Sequence, residues 1–306
     1  MNPELVHVQR LRSLDFWQGP IAVESIPGGI TNYNYRVHAA GRTYVARLCV
    51  EKTLLGIDRR NEVVCQRAAH ACGVAPEIVH HEDGVLVSTH LDARTLDSAA
   101  VRDPSFIDRL AALLRQLHDG WDRLTGEILY FSAFQTVRTY ARTALELKAP
   151  LPDDIDDLLE DARRQARRLA PFVPVLCHND LLAANILDDG RRVWLVDWEY
   201  AGVGHPLFDL AGASANSRFP EALEHDLLAA YRGVRPVDPR DVGELRILKA
   251  VSLLREALWS VIQSVASDID FDYPHYAAAS FRAYREARAG LDDATHRFAV
   301  KLHISL

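Results

Sequence analysis

The sequence predicts an α+β fold built as a small β-rich N-terminal lobe and a larger, mostly helical C-terminal lobe. Apolar residues alternate in the strand manner through the first ninety positions and recur at helical spacing after Leu91. With 306 residues, 48% hydrophobic and 25% charged, the chain has the make-up of an ordinary globular protein with room for one large or two medium domains. The change of character divides it at 1–91 and 92–306.

In the first part, strands are expected at 21–26, 33–38, 44–50, 78–81 and 85–89, with turn signals at Gly28-Gly29 and Ala40-Gly41. One helix interrupts them over 59–72, closed by Gly73 with Pro76 beyond. Helices then follow at 104–118, 131–147, 155–169, 206–214, 220–231, 241–264 and 274–288. The helix at 155–169 opens acidic and closes on arginines, as its dipole favours.

The 35 basic and 42 acidic residues leave a net charge of −7, which makes no electrostatic case for a nucleic-acid or anionic-membrane partner. Cys49, Cys65, Cys72 and Cys177 show neither a C-x-x-C pair nor metal-ligand spacing, and three of them lie in apolar runs and are expected as small packing residues in a reducing cytoplasm. Residues 1–12 lack an apolar leader core, and no segment reaches membrane-spanning length, so neither export nor membrane insertion is expected.

The most informative segment is Cys177-His178-Asn179-Asp180-Leu-Leu-Ala-Ala-Asn185, followed by Val193-Trp-Leu-Val-Asp197. Ile186-Leu187 and Val193 to Val196 are β-type runs, and Asp188-Asp189-Gly190 is a hairpin-turn signal. The hairpin would carry Asn185 and Asp197 side by side at its open ends. An Asp beside a nucleophile, with an Asn and a second Asp able to reach a phosphate-bound metal, is minimal equipment for phosphoryl transfer from ATP to a hydroxyl. A purely structural alternative is Asp180 as a helix cap and Asn185 as a turn residue.

Upstream, the turn Pro27-Gly28-Gly29-Ile30-Thr31-Asn32 lets backbone N–H groups approach phosphates, although an ordinary hairpin turn accounts for it as well. Arg47 stands on the third strand, at the place of a phosphate-binding cation, and Glu62 on the next helix is a candidate partner. The alternative is an exposed Arg and a solvated Glu.

Together these residues resemble the choline/ethanolamine kinase family, within the aminoglycoside-phosphotransferase-like, protein-kinase-like fold. The match runs nearly end to end: Gly28 to Asn32 with Tyr35-Arg-Val37, Arg47, the Asp180 loop, Asp197-Trp-Glu199-Tyr200, Phe208-Asp209, Trp259-Ser-Val-Ile-Gln263 and Ile269 to Tyr276. The resemblance implies a bilobal kinase fold and ATP- and Mg²⁺-dependent phosphorylation of a small amino alcohol, choline or ethanolamine. Asp180 would be base or orienting group, and Asn185 and Asp197 would hold Mg²⁺. Gly28, Gly29, Thr31, Asn32, Arg47 and Glu62 would bind the nucleotide. Glu199, placed on one strand face with Asp197, would support metal or substrate. Tyr200, Trp259 and Tyr276 would form an aromatic pocket for the ammonium. A homodimer is compatible with the resemblance.

One departure stands out. The family commonly has a second Trp one turn before Trp259, where this chain has Glu256. A carboxylate suits a primary ammonium, whereas a quaternary one offers no N–H, so ethanolamine or another amino alcohol stays open against choline. The bland alternative is a surface ion pair of Glu256 with Arg255 or Lys249. His178, His118 and Asp209 are expected as braces, and Trp17, Trp121 and Trp194 as packing residues. Competing readings are an aminoglycoside, thiamine or other small-molecule phosphotransferase of the same fold, and a non-catalytic nucleotide-binding protein.

Overall fold

The structure, a computed structural model, describes residues 3–27, 32–49 and 53–303. Gly28, Gly29 and Thr31 of the expected nucleotide turn lie outside the described residues, and so does the side chain of Trp121.

Helix α1 (Pro3–Arg12) precedes strands β1 (Ile21–Ile26), β2 (Tyr33–Ala39) and β3 (Arg42–Leu48). Helix α2 (Arg59–Ala71) follows, then β4 (Ile78–Glu82) and β5 (Val85–Thr89). The five strands form one antiparallel sheet in the order β1-β2-β3-β5-β4, with Arg47 of β3 opposite Asn34 and Leu86. The α1 helix was not expected, because its apolar residues mark no continuous face. Leu11, with Leu14 just after the helix, packs on Tyr35, Val37, Ala46 and Val87 and closes one side of the sheet. Trp17 also packs there and donates Nε1–H to the Leu11 carbonyl at 2.7 Å.

Beyond Leu91 come β6 (Arg94–Thr95), α3 (Ser98–Val101), α4 (Ile107–His118), α5 (Ala133–Glu146) and α6 (Ile155–Ala166). Next are β7 (Val175–Cys177), β8 (Ile186–Asp188), β9 (Val193–Leu195) and β10 (Gly202–Gly204). Helices α7 (Pro206–Ser217), α8 (Glu221–Arg232), α9 (Pro239–Ala266) and α10 (Tyr273–His303) complete the chain. The expected bilobal α+β architecture is therefore present, with several boundaries moved. Residues 104–106 form a 3-10 turn ahead of α4, and α10 runs well past residue 288. Among the described residues no helix is long and apolar enough to cross a membrane, and all four cysteines are buried and free.

Helix α9 is the spine of the helical part. Almost every residue from Val242 to Gln263 is buried, and α5, α7 and α10 pack around it. The short strands do the positioning. β8 and β9 form the expected hairpin, extended by β6. Asp189 accepts the N–H groups of Arg191 and Arg192, and Gly190 takes a φ of +85°, a region glycine enters without steric penalty. β7 pairs with β10 on the other side, so residues 178–185 and 196–201 are each clamped at both ends.

Gly202 sits where backbone meets backbone: Val203 donates to the Leu129 carbonyl at 2.9 Å, and a Cβ on Gly202 would lie 2.7 Å from that oxygen. Gly202→Ala should therefore destabilise by about 1–3 kcal/mol and reduce activity with it. Gly243→Ala, inside α9 with open space around it, should stabilise by about 0.5–1 kcal/mol. Urea unfolding of the two variants checks the contrast, and equal effects would contradict the clamp.

Candidate active site

The loop 178–185 is held from beneath by one carboxylate. Asp209, in the first turn of α7, accepts the N–H of His178 at 2.9 Å and of Asn179 at 2.7 Å. His118 of α4 meets the same carboxylate through Nε2 at 3.1 Å and Tyr231 through Nδ1 at 2.8 Å. His178 has one consistent tautomer: Nε2–H donates to the Val196 carbonyl at 2.9 Å, and Nδ1 accepts the Asp180 N–H at 3.3 Å. Burial lowers its pKa, so it stays neutral and acts as a brace. Asn179 adopts a φ of +63° and donates its amide to the Tyr200 carbonyl at 3.1 Å.

These restraints aim Asp180, Asn185 and Asp197 into one space. Asn185 donates Nδ2–H to the Asp180 carbonyl at 2.9 Å and to its carboxylate at 3.3 Å, and among the described residues no donor reaches its Oδ1. The Val196 N–H reaches the Asn185 carbonyl at 3.0 Å, so the hairpin's open ends are joined as expected. The strand stops at Leu195, however, and Asp197 takes a φ of +67°. The expectation that Asp197 and Glu199 share a strand face is therefore incorrect, because a left-handed residue breaks the two-residue alternation. Asp197 is the most open of the three, 29% exposed, with Oδ1 accepting from Arg47.

Arg47 also pairs with Glu62 of α2, whose side chain is fully buried. Arg59, at the first position of α2, joins Glu62 at 2.8 Å, Glu199 at 3.0 Å and Asn32 at 3.0 Å. Asn32 donates to Glu199 at 2.8 Å. Asp58 caps α2 by accepting from Arg60 and Asn61, and Asn61 donates to the Ala201 carbonyl at 2.7 Å. That bond fixes the helix end against the Asp197 segment. Arg59 escaped the sequence reading. Its signal was the position directly after a capping Asp, three residues before Glu62 and so on the same helix face.

On the opposite side, α9 contributes Arg255 and Glu256, 2% and 7% exposed, so the surface-pair alternative does not hold. Arg255 Nη2 touches Asp180 Oδ1 at 3.0 Å and Glu256 Oε1 at 3.2 Å, while Nη1 donates to the Asn179 carbonyl. Its guanidinium lies 4.7 Å from the centre of the Tyr200 ring. Tyr276 donates to Glu256 at 3.4 Å, and Trp259 packs edge-on against Tyr273. Tyr200, through Arg255, and Tyr276, through Glu256, therefore lie beside the Asp180 group, whereas Trp259 is placed against Tyr273, and a cation already covers the face of Tyr200. Arg255 was also missed. Its signal was a pair of adjacent charges within the apolar run 250–262.

Burial raises the Asp180 pKa, opposed by Arg255 and reinforced by Asp197 and Glu199. Glu199 is raised by burial and by Asp197, and Glu256 by burial and by Asp180, with arginines opposing both shifts.

The model of the phosphotransferase enzyme family matches residues 22–245, most of the chain. The chain belongs to that family. Its members include kinases of small molecules, and this protein is one. Human ethanolamine kinase 2 is 28% identical over 265 residues, covering 78% of this chain and 68% of that one. A solved choline/ethanolamine kinase family protein from Mesorhizobium loti is 28% identical with a TM-score of 0.76, covering 93% and 94% of the two chains. The choline kinase LicA from Streptococcus pneumoniae, 24% identical, shares the fold with a TM-score of 0.75 over 96% and 100%. The family resemblance read from the sequence motifs is thereby borne out.

Two expectations follow. Asp209→Ala leaves two buried N–H groups without an acceptor and should cost at least about 2 kcal/mol of stability, with loss of turnover; a urea midpoint unchanged from wild type would contradict the brace. A carboxylate with a raised folded-state pKa binds protons more tightly when folded, so its contribution worsens as pH rises above about 4. Wild type should therefore gain stability relative to Glu256→Gln as pH is lowered from about 8 to about 5. Paired thermal melts across that range check the slope, and a difference independent of pH would refute it.

Proposed function

We propose that the protein is an ATP- and Mg²⁺-dependent kinase that phosphorylates the hydroxyl of a small amino alcohol, of the choline or ethanolamine type. The observation that carries this reading is the convergence of Asp180, Asn185 and Asp197 at the mouth of one hairpin, with the Arg47–Glu62 pair beside them. Residues 1–91 would form the nucleotide-binding lobe and residues 92–306 the catalytic and substrate-binding lobe. Four buried free cysteines are consistent with a reducing, cytoplasmic setting.

The donor set fits a hard cation. No described residue donates to Oδ1 of Asn185 or to Oδ2 of Asp197. The site residues also carry five carboxylates, on Glu62, Asp180, Asp197, Glu199 and Glu256, against three guanidinium groups, on Arg47, Arg59 and Arg255. The excess negative charge matches a divalent ion. Asn185 and Asp197 would hold Mg²⁺, which would neutralise charge on the donor phosphates.

Asp180 would orient the acceptor hydroxyl and take its proton as the acceptor oxygen bonds to the γ-phosphorus and the bond to the β-phosphate oxygen breaks, releasing ADP. Arg255 keeps Asp180 aimed, and Asn185 fixes its second oxygen. Arg47, held by Glu62, would steady the phosphates. The protein's contribution is mainly positioning and electrostatics.

Asp180→Asn should lower kcat by about 10²–10⁴-fold with ATP affinity within a few-fold of wild type. A coupled ADP-release assay with ethanolamine and choline, paired with calorimetry for ATP, measures both. Near-normal turnover in the variant would sink the assignment.

A further inference from the structure

The acceptor side of Asp180 has an unusual composition. Helix α9 is apolar for most of the stretch 250–262, yet it places two adjacent charged residues there, and both are buried. Burying an ion pair is costly unless each partner is used, so the pair calls for a reason. Arg255 has one: it ties Asp180, the Asn179 carbonyl and the Tyr200 ring into one unit. Glu256 has less. One of its oxygens shares the Arg255 nitrogen that already serves Asp180, and the other meets Tyr276 at a long 3.4 Å. Its capacity as an acceptor is largely unspent, since an ionised carboxylate has about four lone-pair sites.

Two ways of recognising an ammonium differ in what they require. A quaternary ammonium has no N–H and binds to open aromatic faces. Here the face of Tyr200 is covered by a guanidinium, and Arg255 also lies 5.9 Å from the centre of the Phe131 ring. A second cation at that face meets repulsion. An ammonium bearing N–H groups binds instead to a carboxylate through charge-assisted hydrogen bonds. Asp180 and Glu256 touch the same nitrogen, at 3.0 and 3.2 Å. They lie close enough for the hydroxyl and the ammonium of a two-carbon amino alcohol to reach one each.

We propose that Glu256 is a specificity-determining residue that binds the N–H groups of the acceptor's ammonium and so selects primary, secondary and tertiary amines over quaternary ones. The proposal rests on the amino-alcohol kinase reading given above. The test is kcat and KM of the full chain, with Mg²⁺-ATP, for ethanolamine and its N-methyl, N,N-dimethyl and N,N,N-trimethyl forms, the last being choline. In wild type kcat/KM should fall along the series, with the largest drop, on the order of 10- to 100-fold, at the final methyl that removes the last N–H. In Glu256→Gln the KM for ethanolamine should rise by a similar factor, kcat should stay within a few-fold, and choline should change little. Discrimination would collapse.

A merely structural role would depress all four acceptors in parallel, and that result would overturn the assignment. So would a wild type that uses choline at least as well as ethanolamine, which leaves the kinase reading intact. If Glu256→Gln does not fold, the wild-type series together with Glu256→Asp decides, since a retained carboxylate should retain the preference for N–H. If wild type binds ATP yet turns over none of the four, the amino-alcohol reading itself has failed and the role of Glu256 falls with it.

Discussion

Five carboxylates meet three arginines in a space that is mostly shut off from water, and the arrangement of the two lobes around the site follows from how that charge is held. Arg47 comes from the third strand of the sheet, Arg59 from the start of the helix after it, and Arg255 from the spine of the helical part. Each guanidinium touches carboxylates on more than one element, and the planar fork of donors suits it to that task where a lysine would serve one partner at a time. Arg47 and Arg59 carry the sheet-bearing part onto Asp197 and Glu199. Arg255 carries the long helix onto Asp180. Glu62 is shared by Arg47 and Arg59, and Glu199 also receives Asn32, whereas Arg255 is the guanidinium that meets both Asp180 and Glu256, so its removal would leave those two buried carboxylates facing one another.

The backbone around this charge is held more firmly than the charge itself. Asp209 takes two consecutive N–H groups of the Asp180 loop, His178 locks that loop to the Val196 carbonyl, and the two small strand pairs fasten both ends. The division is physically sensible: fully hydrogen-bonded groups carry the frame, while Asp180, Glu199 and Glu256, whose proton affinities are raised by burial and by neighbouring carboxylates, line the space around Asp197.

On the proposed acceptor side the same economy would serve selection. In the proposed reading, the Arg255 guanidinium over Tyr200 would disfavour a bare cation at that face, and Glu256 beside it would receive N–H groups. Packing an arginine beside the proposed base orients Asp180 and would restrict what can approach it.

Much of this was legible in the sequence, for identifiable reasons. The two lobes followed from a switch between two-residue and helical periodicity, and the hairpin from Asp-Asp-Gly between two short β-branched and aromatic runs. Asn185 and Asp197 followed from the hairpin, since a turn of set length fixes which residues end side by side. The sequence by itself therefore determined most of the longer elements, the loop that carries Asp180 and the pairing across its hairpin, because those depend on residues near one another in the chain. It could not determine that Arg59 reaches Glu199, or that Arg255 reaches Asp180 from seventy-five residues away. Nor could it determine that Asp197 turns left-handed and leaves the strand. Three-residue strands such as β7 and β10 carry no periodicity of their own and exist only through their pairing. Those features were decided by tertiary structure alone, because which charges neutralise one another depends on how distant helices pack and on how little water remains between them.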